Sequence, residues 1–284
     1  MPELPEVETI VRKLRDGSPN IPSVVDQVIK SVDVTWDRII ASSLPDEFKK
    51  KLTGKKILNA CRRGKFLHFP LSSGHLIGHL RMSGDMRTET VYDDQGNTRP
   101  YEAFDKVIIN FKSGWRLIFI NIRKFGRMWY TEDPSTVFGS LGPEPLDETF
   151  DDDMLYEMLK AHNRQIKPLL MDQSFIAGMG NIYADESLFI AKIHPLRLSA
   201  SLTKSEVQKL HHAIQTTLKA GIQQFGASVD WVYRGGEFQN YFQVYQRKGE
   251  PCPRCGALIE KIVVGQRGTH FCPNCQKDPS VKIS

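Results

Sequence analysis

No apolar run in this chain approaches the roughly 20 residues that a membrane-crossing helix needs. The N-terminus also lacks the charged-then-apolar pattern of a secretion signal. A helical membrane anchor is therefore excluded, no membrane partner is expected, and a cytoplasmic location follows by default. Charge of one sign is in short supply too. The 38 Lys and Arg stand against 33 Asp and Glu, and the net +5 supports by itself only a weak preference for polyanions. Cysteine is scarce, with five in 284 residues, four of them in the last forty. What remains is ordinary: 40% apolar and 25% charged residues describe a soluble globular chain, long enough for two domains with their own cores.

The first nine residues, MPELPEVET, carry the most chemistry. With Met1 removed, the chain would begin at Pro2. Its secondary amine, with a pKa of roughly 8 or below, is partly unprotonated at neutral pH. Such an amine can attack a sugar C1′, expel the base and leave an iminium ion that draws electrons out of the sugar. Glu3 and Glu6 put carboxylates beside it. Val7, Ile10, Val11 and Leu14 form one apolar stripe at helical spacing, Pro5 suits the first helical position and Gly17 suits the stop. A helix held by that stripe would keep the chain end still, although most chain ends fray.

Residues 24–80 alternate short apolar runs with turns, as antiparallel β structure does. Within them Cys61-Arg-Arg-Gly-Lys65 is a basic turn of the kind that usually protects a sheet edge. Residues 106–112 and 115–122 flank Ser113-Gly114 and read as a hairpin. It delivers Arg123-Lys124-Phe125, an unusual tip to leave in water. The Gly- and Pro-rich stretch 135–150 reads as an interdomain linker. Met154, Leu155, Met158 and Leu159 begin helical patterning, and glycines 178 and 180 permit close backbone approach. Thr203 to Glu206 has capping-box spacing for a long helix running through Val207, Leu210, Ile214, Leu218, Ile222 and Phe225 to Gly226.

Cys252, Cys255, Cys272 and Cys275 are spaced C-x2-C-x16-C-x2-C, which fits a single structural zinc with four thiolate ligands. Two disulfides are the competing reading, disfavoured in a reducing cytosol. Residues 259–271 between the pairs read as a β-hairpin with Arg267 at its turn, a way of holding a cation accurately against a phosphate. Seven Lys and Arg against Glu250, Glu260 and Asp278 concentrate +4 of the net charge in residues 245–284.

Taken with HLRMSG (79–84) and IKPLLMDQSFIAGMGNIYADESLF (166–189), PELPEVET resembles the formamidopyrimidine-DNA glycosylase family over nearly the whole chain, Pro2 to about Gln276. The resemblance implies an α+β fold: an N-terminal β-sandwich with flanking helices (1–134), the linker, a helical helix-two-turn-helix domain (151–244) and a zinc ribbon (245–284). It implies a monomeric bifunctional DNA glycosylase and AP lyase that excises oxidised purines from damaged double-stranded DNA. Pro2 would be the Schiff-base nucleophile, Glu3 the acid/base, and Lys65 a phosphate-binding proton donor. Arg267 would act on phosphate in δ-elimination. Glu6, His79, Met82, Arg123, Phe125, Lys167, Asn181, Tyr245 and Lys261 would contact DNA, with Met82 and Phe125 wedging into the stack and Arg123 reading the orphaned base.

Two features depart from the family pattern. Gly226 to Gly249 is shorter than the stretch that closes over the extruded base in 8-oxoguanine-directed members, so a more open pocket is expected. Phe104 stands where many relatives have a DNA-contacting His. The alternatives are a Nei-type glycosylase for oxidised pyrimidines, against which PELPEVET argues, a non-catalytic zinc-ribbon lesion-binding protein, and a zinc protein of RNA metabolism.

Overall fold

A computed structural model describes residues 1–229 and 235–277; part of the 226–249 stretch, expected to be short, and the last seven residues of the ribbon domain lie outside the described residues. The chain divides into two units. Unit 1 comprises Met1–Gly139 with Ser228–Gly236, and unit 2 comprises Ser140–Ala227 with Glu237–Ser284.

Unit 1 opens with helix α1 (Leu4–Asp16), capped by Glu3 and stopped at Gly17. The expected stripe is its buried face: Val7, Ile10, Val11 and Leu14 are at most 4% exposed. Strand β1 (Ile29–Val34) follows, then helix α2 (Pro45–Leu52). Reading 24–80 as β structure throughout missed this helix. Its signals are local: Pro45 at the start, Asp46 and Glu47 in the first turn, three lysines in the last, and Phe48 and Leu52 one turn apart on the buried side.

Six strands complete unit 1 in chain order before the two last elements: β2 (Cys61–Arg63), β3 (Phe66–Pro70), β4 (His75–His79), β5 (Gly84–Thr90), β6 (Asp105–Phe111) and β7 (Trp115–Asn121). Strand β8 (Arg127–Thr131) and the short helix α3 (Ser135–Phe138) close it. They form two antiparallel four-stranded sheets, ordered β1-β6-β7-β5 and β2-β3-β4-β8. Leu67, Phe69 and Leu76 from one sheet and Val107, Ile109 and Phe119 from the other share one core with the α1 stripe, which makes a sandwich.

The register decides where function can sit. Phe66 pairs with His79 and His79 with Arg127, so the β2–β3 turn, the end of β4 and the start of β8 share one end of their sheet. Two loops at that end, 80–83 and 122–126, carry the chain between the sheets.

Unit 2 holds α4 (Asp152–Lys160), α5 (Ile166–Leu170), α6 (Asn181–Ala191) and α7 (Lys204–Gln223), then the hairpin β9 (Glu260–Val264) and β10 (Arg267–Phe271). Asp151 caps α4 by accepting the Met154 N–H at 2.7 Å; Met154 itself faces outward, leaving Leu155 and Leu159 as the buried pair. The Thr203–Glu206 capping box forms. The helix stops earlier than its apolar pattern suggested: Phe225 lies beyond Gln223, at φ 57° and 55% exposed, because the chain turns left-handed there and again at Gly226.

Candidate active site and metal centre

In unit 1 the N-terminal residues are enclosed at the start of α1. Pro2 and Glu3 are buried at the start of α1, and the Glu3 backbone N–H donates to Glu6 Oε2 at 2.8 Å. Further along α1, Glu8 accepts from Arg12 at 2.7 Å and from Arg62 at 3.1 Å. Burial opposes ionisation of Glu8, but the two guanidiniums outweigh it and hold its carboxyl below the ordinary value. Arg62 also donates to the Gly64 carbonyl at 3.1 Å, tying α1 to the two-residue turn that ends in Lys65. Lys65 itself is only 4% exposed.

His79 is buried, with its ring edge-on to Phe66 at 4.6 Å. Burial, with Arg81 and Lys65 adding repulsion, pushes its pKa down to about 3. The ring is therefore neutral. Its Nδ1 accepts the Arg81 N–H at 3.0 Å, which leaves Nε2 to carry the proton and to donate. A neutral donor of this kind suits a phosphate oxygen.

Loops 80–83 and 122–126 are stitched together at their bases. Asn121, with no exposed surface, donates to the Leu80 carbonyl at 3.1 Å and accepts the Gly126 N–H at 3.1 Å. Ser83 Oγ accepts the Arg123 N–H at 2.9 Å. Only glycine fits at 126, where a Cβ would lie 2.7 Å from Asn121 Nδ2. This stitching brings Arg123 Nη1 to 3.9 Å from Met82 Sδ and leaves Met82 and Phe125 44% and 55% exposed. Apolar side chains displayed on a rigid frame are what a wedge requires. Phe104 is exposed too, and its carbonyl accepts the Asn121 N–H at 2.9 Å, which seats it beside these loops. Sequence reasoning missed Asn121 and Ser83, since neither residue type nor spacing marks them.

In unit 2, Asn181 opens α6 and donates to the Gly268 carbonyl at 3.1 Å and, at 3.5 Å, to the Tyr245 hydroxyl. Glu186 on the same helix accepts three backbone N–H groups, from Gln243, Val244 and Tyr245, and so fixes the segment bearing Tyr245. The β9–β10 hairpin turns on Gly265 and Gln266, both at positive φ, as a type I′ turn demands. It presents Arg267 and Lys261, both exposed, whose side chains make no hydrogen bond or ion pair to any described residue. Lys167 lies in the interior of unit 2. Its side chain is fully buried, 2.6 Å from Asp185, 2.7 Å from Thr269 Oγ1 and 3.1 Å from the Gly268 carbonyl. An ammonium enclosed in this way supports the hairpin from behind.

The four cysteines of the ribbon converge, with all Sγ atoms within 4.8 Å of one another. Cys252 and Cys275 are 4.0 Å apart, and Cys255 and Cys272 are 3.5 Å apart. Four thiolates at about 2.3 Å from one zinc would be roughly 3.8 Å apart. The distances fit that tetrahedron and are far too long for disulfides. The Arg254 and Cys275 N–H groups each point at a cysteine sulfur from 3.4 Å, favouring the thiolate. These residues would hold one structural zinc with no open position.

Comparison with known proteins completes the picture. The formamidopyrimidine-DNA glycosylase N-terminal domain profile matches residues 1–128, and the H2TH domain profile of the same enzymes matches 141–231. A zinc finger found in FPG and IleRS matches 249–277, which encloses all four cysteines. Formamidopyrimidine-DNA glycosylases of Protochlamydia amoebophila and Pelotomaculum thermopropionicum are 40% and 42% identical to the chain. Each alignment covers 98% of this chain and at least 99% of the relative. The chain belongs to the formamidopyrimidine-DNA glycosylase family. Among solved structures, a Lactococcus lactis FPG mutant in complex with Fapy-dG-containing DNA superposes with a TM-score of 0.87 at 39% identity, covering 98% of this chain and all of that one. A MutM complex with carbocyclic 8-oxo-G-containing DNA gives 0.87 at 40%, with the same coverage.

Membership in a glycosylase family removes the rival readings of a non-catalytic lesion-binding protein and of an RNA-metabolism protein. It also gives the α+β architecture and the cysteine cluster their meaning: the ribbon is the family's zinc finger.

Proposed function

We propose that the chain is a base-excision repair enzyme that removes oxidised purines from double-stranded DNA and then cuts the strand as an AP lyase. The observation that carries this reading is the seating of Pro2 and Glu3. They lie buried at the start of a helix that Arg62 and Glu8 pin to the turn bearing Lys65.

Once Met1 is removed, the Pro2 nitrogen attacks C1′ and the C1′–N bond to the base breaks. Glu3 delivers the proton that opens the sugar ring at O4′, leaving an iminium at C1′. Loss of the C2′ proton sends electrons into the iminium and expels the 3′ phosphate. Loss of the C4′ proton through the extended system expels the 5′ phosphate. Water then hydrolyses the Schiff base and returns the free proline. Lys65 and neutral His79 bind phosphate in unit 1, while Arg267, Lys261, Asn181 and Tyr245 do so in unit 2. Met82 and Phe125 fill the gap left by the extruded nucleotide, and Arg123 hydrogen-bonds the base opposite it. Glu6, held by the Glu3 backbone, keeps the N-terminal turn in place. Work on DNA places the enzyme in the cytoplasm, at the nucleoid in a bacterium.

Borohydride trapping on abasic-site DNA tests the chemistry. The expected product is a covalent complex whose cross-linked peptide begins at Pro2. Active enzyme that retains Met1 would overturn the reading. Cleavage of a duplex panel bearing a formamidopyrimidine, 8-oxoguanine, thymine glycol or an abasic site tests the substrate, and a preference for thymine glycol would favour the Nei-type alternative.

A further inference from the structure

The hairpin that carries Arg267 is a two-stranded ribbon with a two-residue turn, a unit with little stability of its own. A guanidinium on a long side chain magnifies any rotation of the backbone beneath it. Yet every residue from 267 to 270 is tied to one buried cluster. Thr269 Oγ1 donates to the Arg267 carbonyl at 3.0 Å and accepts from Lys167 Nζ at 2.7 Å. The Gly268 carbonyl accepts from both Lys167 and Asn181. Asp185 Oδ2 accepts the His270 N–H at 2.8 Å, and Asp185 Oδ1 lies 2.6 Å from Lys167 Nζ. Lys167, Asp185 and Thr269 are all at most 1% exposed.

A buried ion pair is a poor means of gaining stability, because desolvation consumes most of the Coulombic attraction. Its strength lies in geometry. The ammonium needs acceptors at fixed directions, and here a hydroxyl and a hairpin carbonyl supply them, with the Asp185 carboxylate beside it as counter-ion. With Asp185 as its counter-ion, Lys167 donates to Thr269 and Thr269 to the Arg267 carbonyl, so the series ends on the backbone of the residue whose side chain faces solvent. We propose that Thr269, oriented by the Lys167–Asp185 pair, is a positioning residue that aims Arg267 at the phosphate expelled in the second elimination. This rests on the phosphate role given to Arg267 above and adds a near neighbour, Thr269, and two residues distant in sequence, Lys167 and Asp185, that set its direction.

The test uses full-length zinc-loaded enzyme on abasic-site DNA under single-turnover conditions, resolving the β-elimination and δ-elimination products. Thr269→Val keeps the volume and removes the hydroxyl. It should slow the second elimination by roughly tenfold to a hundredfold, the usual effect of a small misplacement, while the first stays within about twofold. Thr269→Ser, which keeps the hydroxyl, should restore the second step. Arg267→Ala serves as the reference.

A parent-like product ratio in Thr269→Val, with a shifted ratio in Arg267→Ala, would refute the positioning role. Loss of zinc, or equal slowing of both eliminations, would refute it in favour of plain structural support. Should Arg267→Ala itself leave the ratio unchanged, the phosphate role of Arg267 falls. Amide exchange at residues 266–268 then decides the anchor on its own: about tenfold faster exchange in Thr269→Val upholds it, and unchanged exchange removes it.

Discussion

Asn121→Ala is the sharpest probe of the frame that holds the exposed loops. The side chain has no exposed surface and makes two bonds that nothing else replaces, one to the Leu80 carbonyl and one from the Gly126 N–H. Alanine leaves both backbone groups buried and unpaired, at about 1–3 kcal/mol each, and water has no route in unless the loops part. Relaxation recovers some of this, so a loss of about 2–5 kcal/mol is expected. For a unit of this size that lowers Tm by roughly 5–15 °C. Loops 80–83 and 122–126 would also lose their common register, and with it the placement of Met82, Arg123 and Phe125. Excision of a lesion from duplex DNA should slow by roughly tenfold to a hundredfold. Trapping on abasic-site DNA, which depends on Pro2, should fall far less. Asn121→Asp refines the experiment. Its carboxylate still accepts from Gly126 but opposes the Leu80 carbonyl, whereas the protonated acid can donate to it, so its stability deficit should narrow as pH falls. Denaturant melts and single-turnover kinetics read both variants. An Asn121→Ala protein within about 0.5 kcal/mol of the parent, with unchanged excision, would refute the reasoning.

Three further outcomes are expected. Burial raises the Asp85 carboxyl to about 6, against 3.8 for a free side chain, with the Met86 N–H and then Lys13 and Arg87 opposing the shift. The folded state thus binds the proton more tightly, and the parent loses stability as pH rises from near 3.8 through about 6. Asp85→Asn, which can still accept from Met86, should be more stable than the parent at pH 7 and equal to it near pH 3.5, a difference read by melts at the two pH values. Chelation should remove one zinc per chain and unfold the ribbon, whose own apolar cluster is small; calorimetry should show the unit 1 transition unmoved. Gly126→Ala should cost about 1–3 kcal/mol through its clash with Asn121, and an unperturbed Tm would show that the loop has room to shift.

Local signals in the chain were reliable wherever one segment could satisfy its own physics. The α1 stripe, the 105–121 hairpin, the Thr203 cap and the cysteine spacing each encode a short-range structure, and each is present. Where local signals competed, reading was weaker. Helix α2 has caps and charges of its own, but only two buried residues, and it sits among β-like runs. The residues proposed for the site, Pro2 and Glu3 with Lys65, Arg123 and Arg267, come from family resemblance more than from spacing.

What the sequence alone determined, then, is which side chains are chemically able to act and which segments form by themselves. What only the tertiary structure decided is who holds them. Asn121 reaches back across 41 residues to Leu80, and Lys167 lies 102 residues before Thr269 in the chain. A buried amide or ammonium is directed by partners that the fold assembles from afar, and no window of sequence contains both ends of such a bond. Lys167 makes the point most plainly: nothing in its sequence neighbourhood shows that its ammonium lies buried against Asp185 and Thr269.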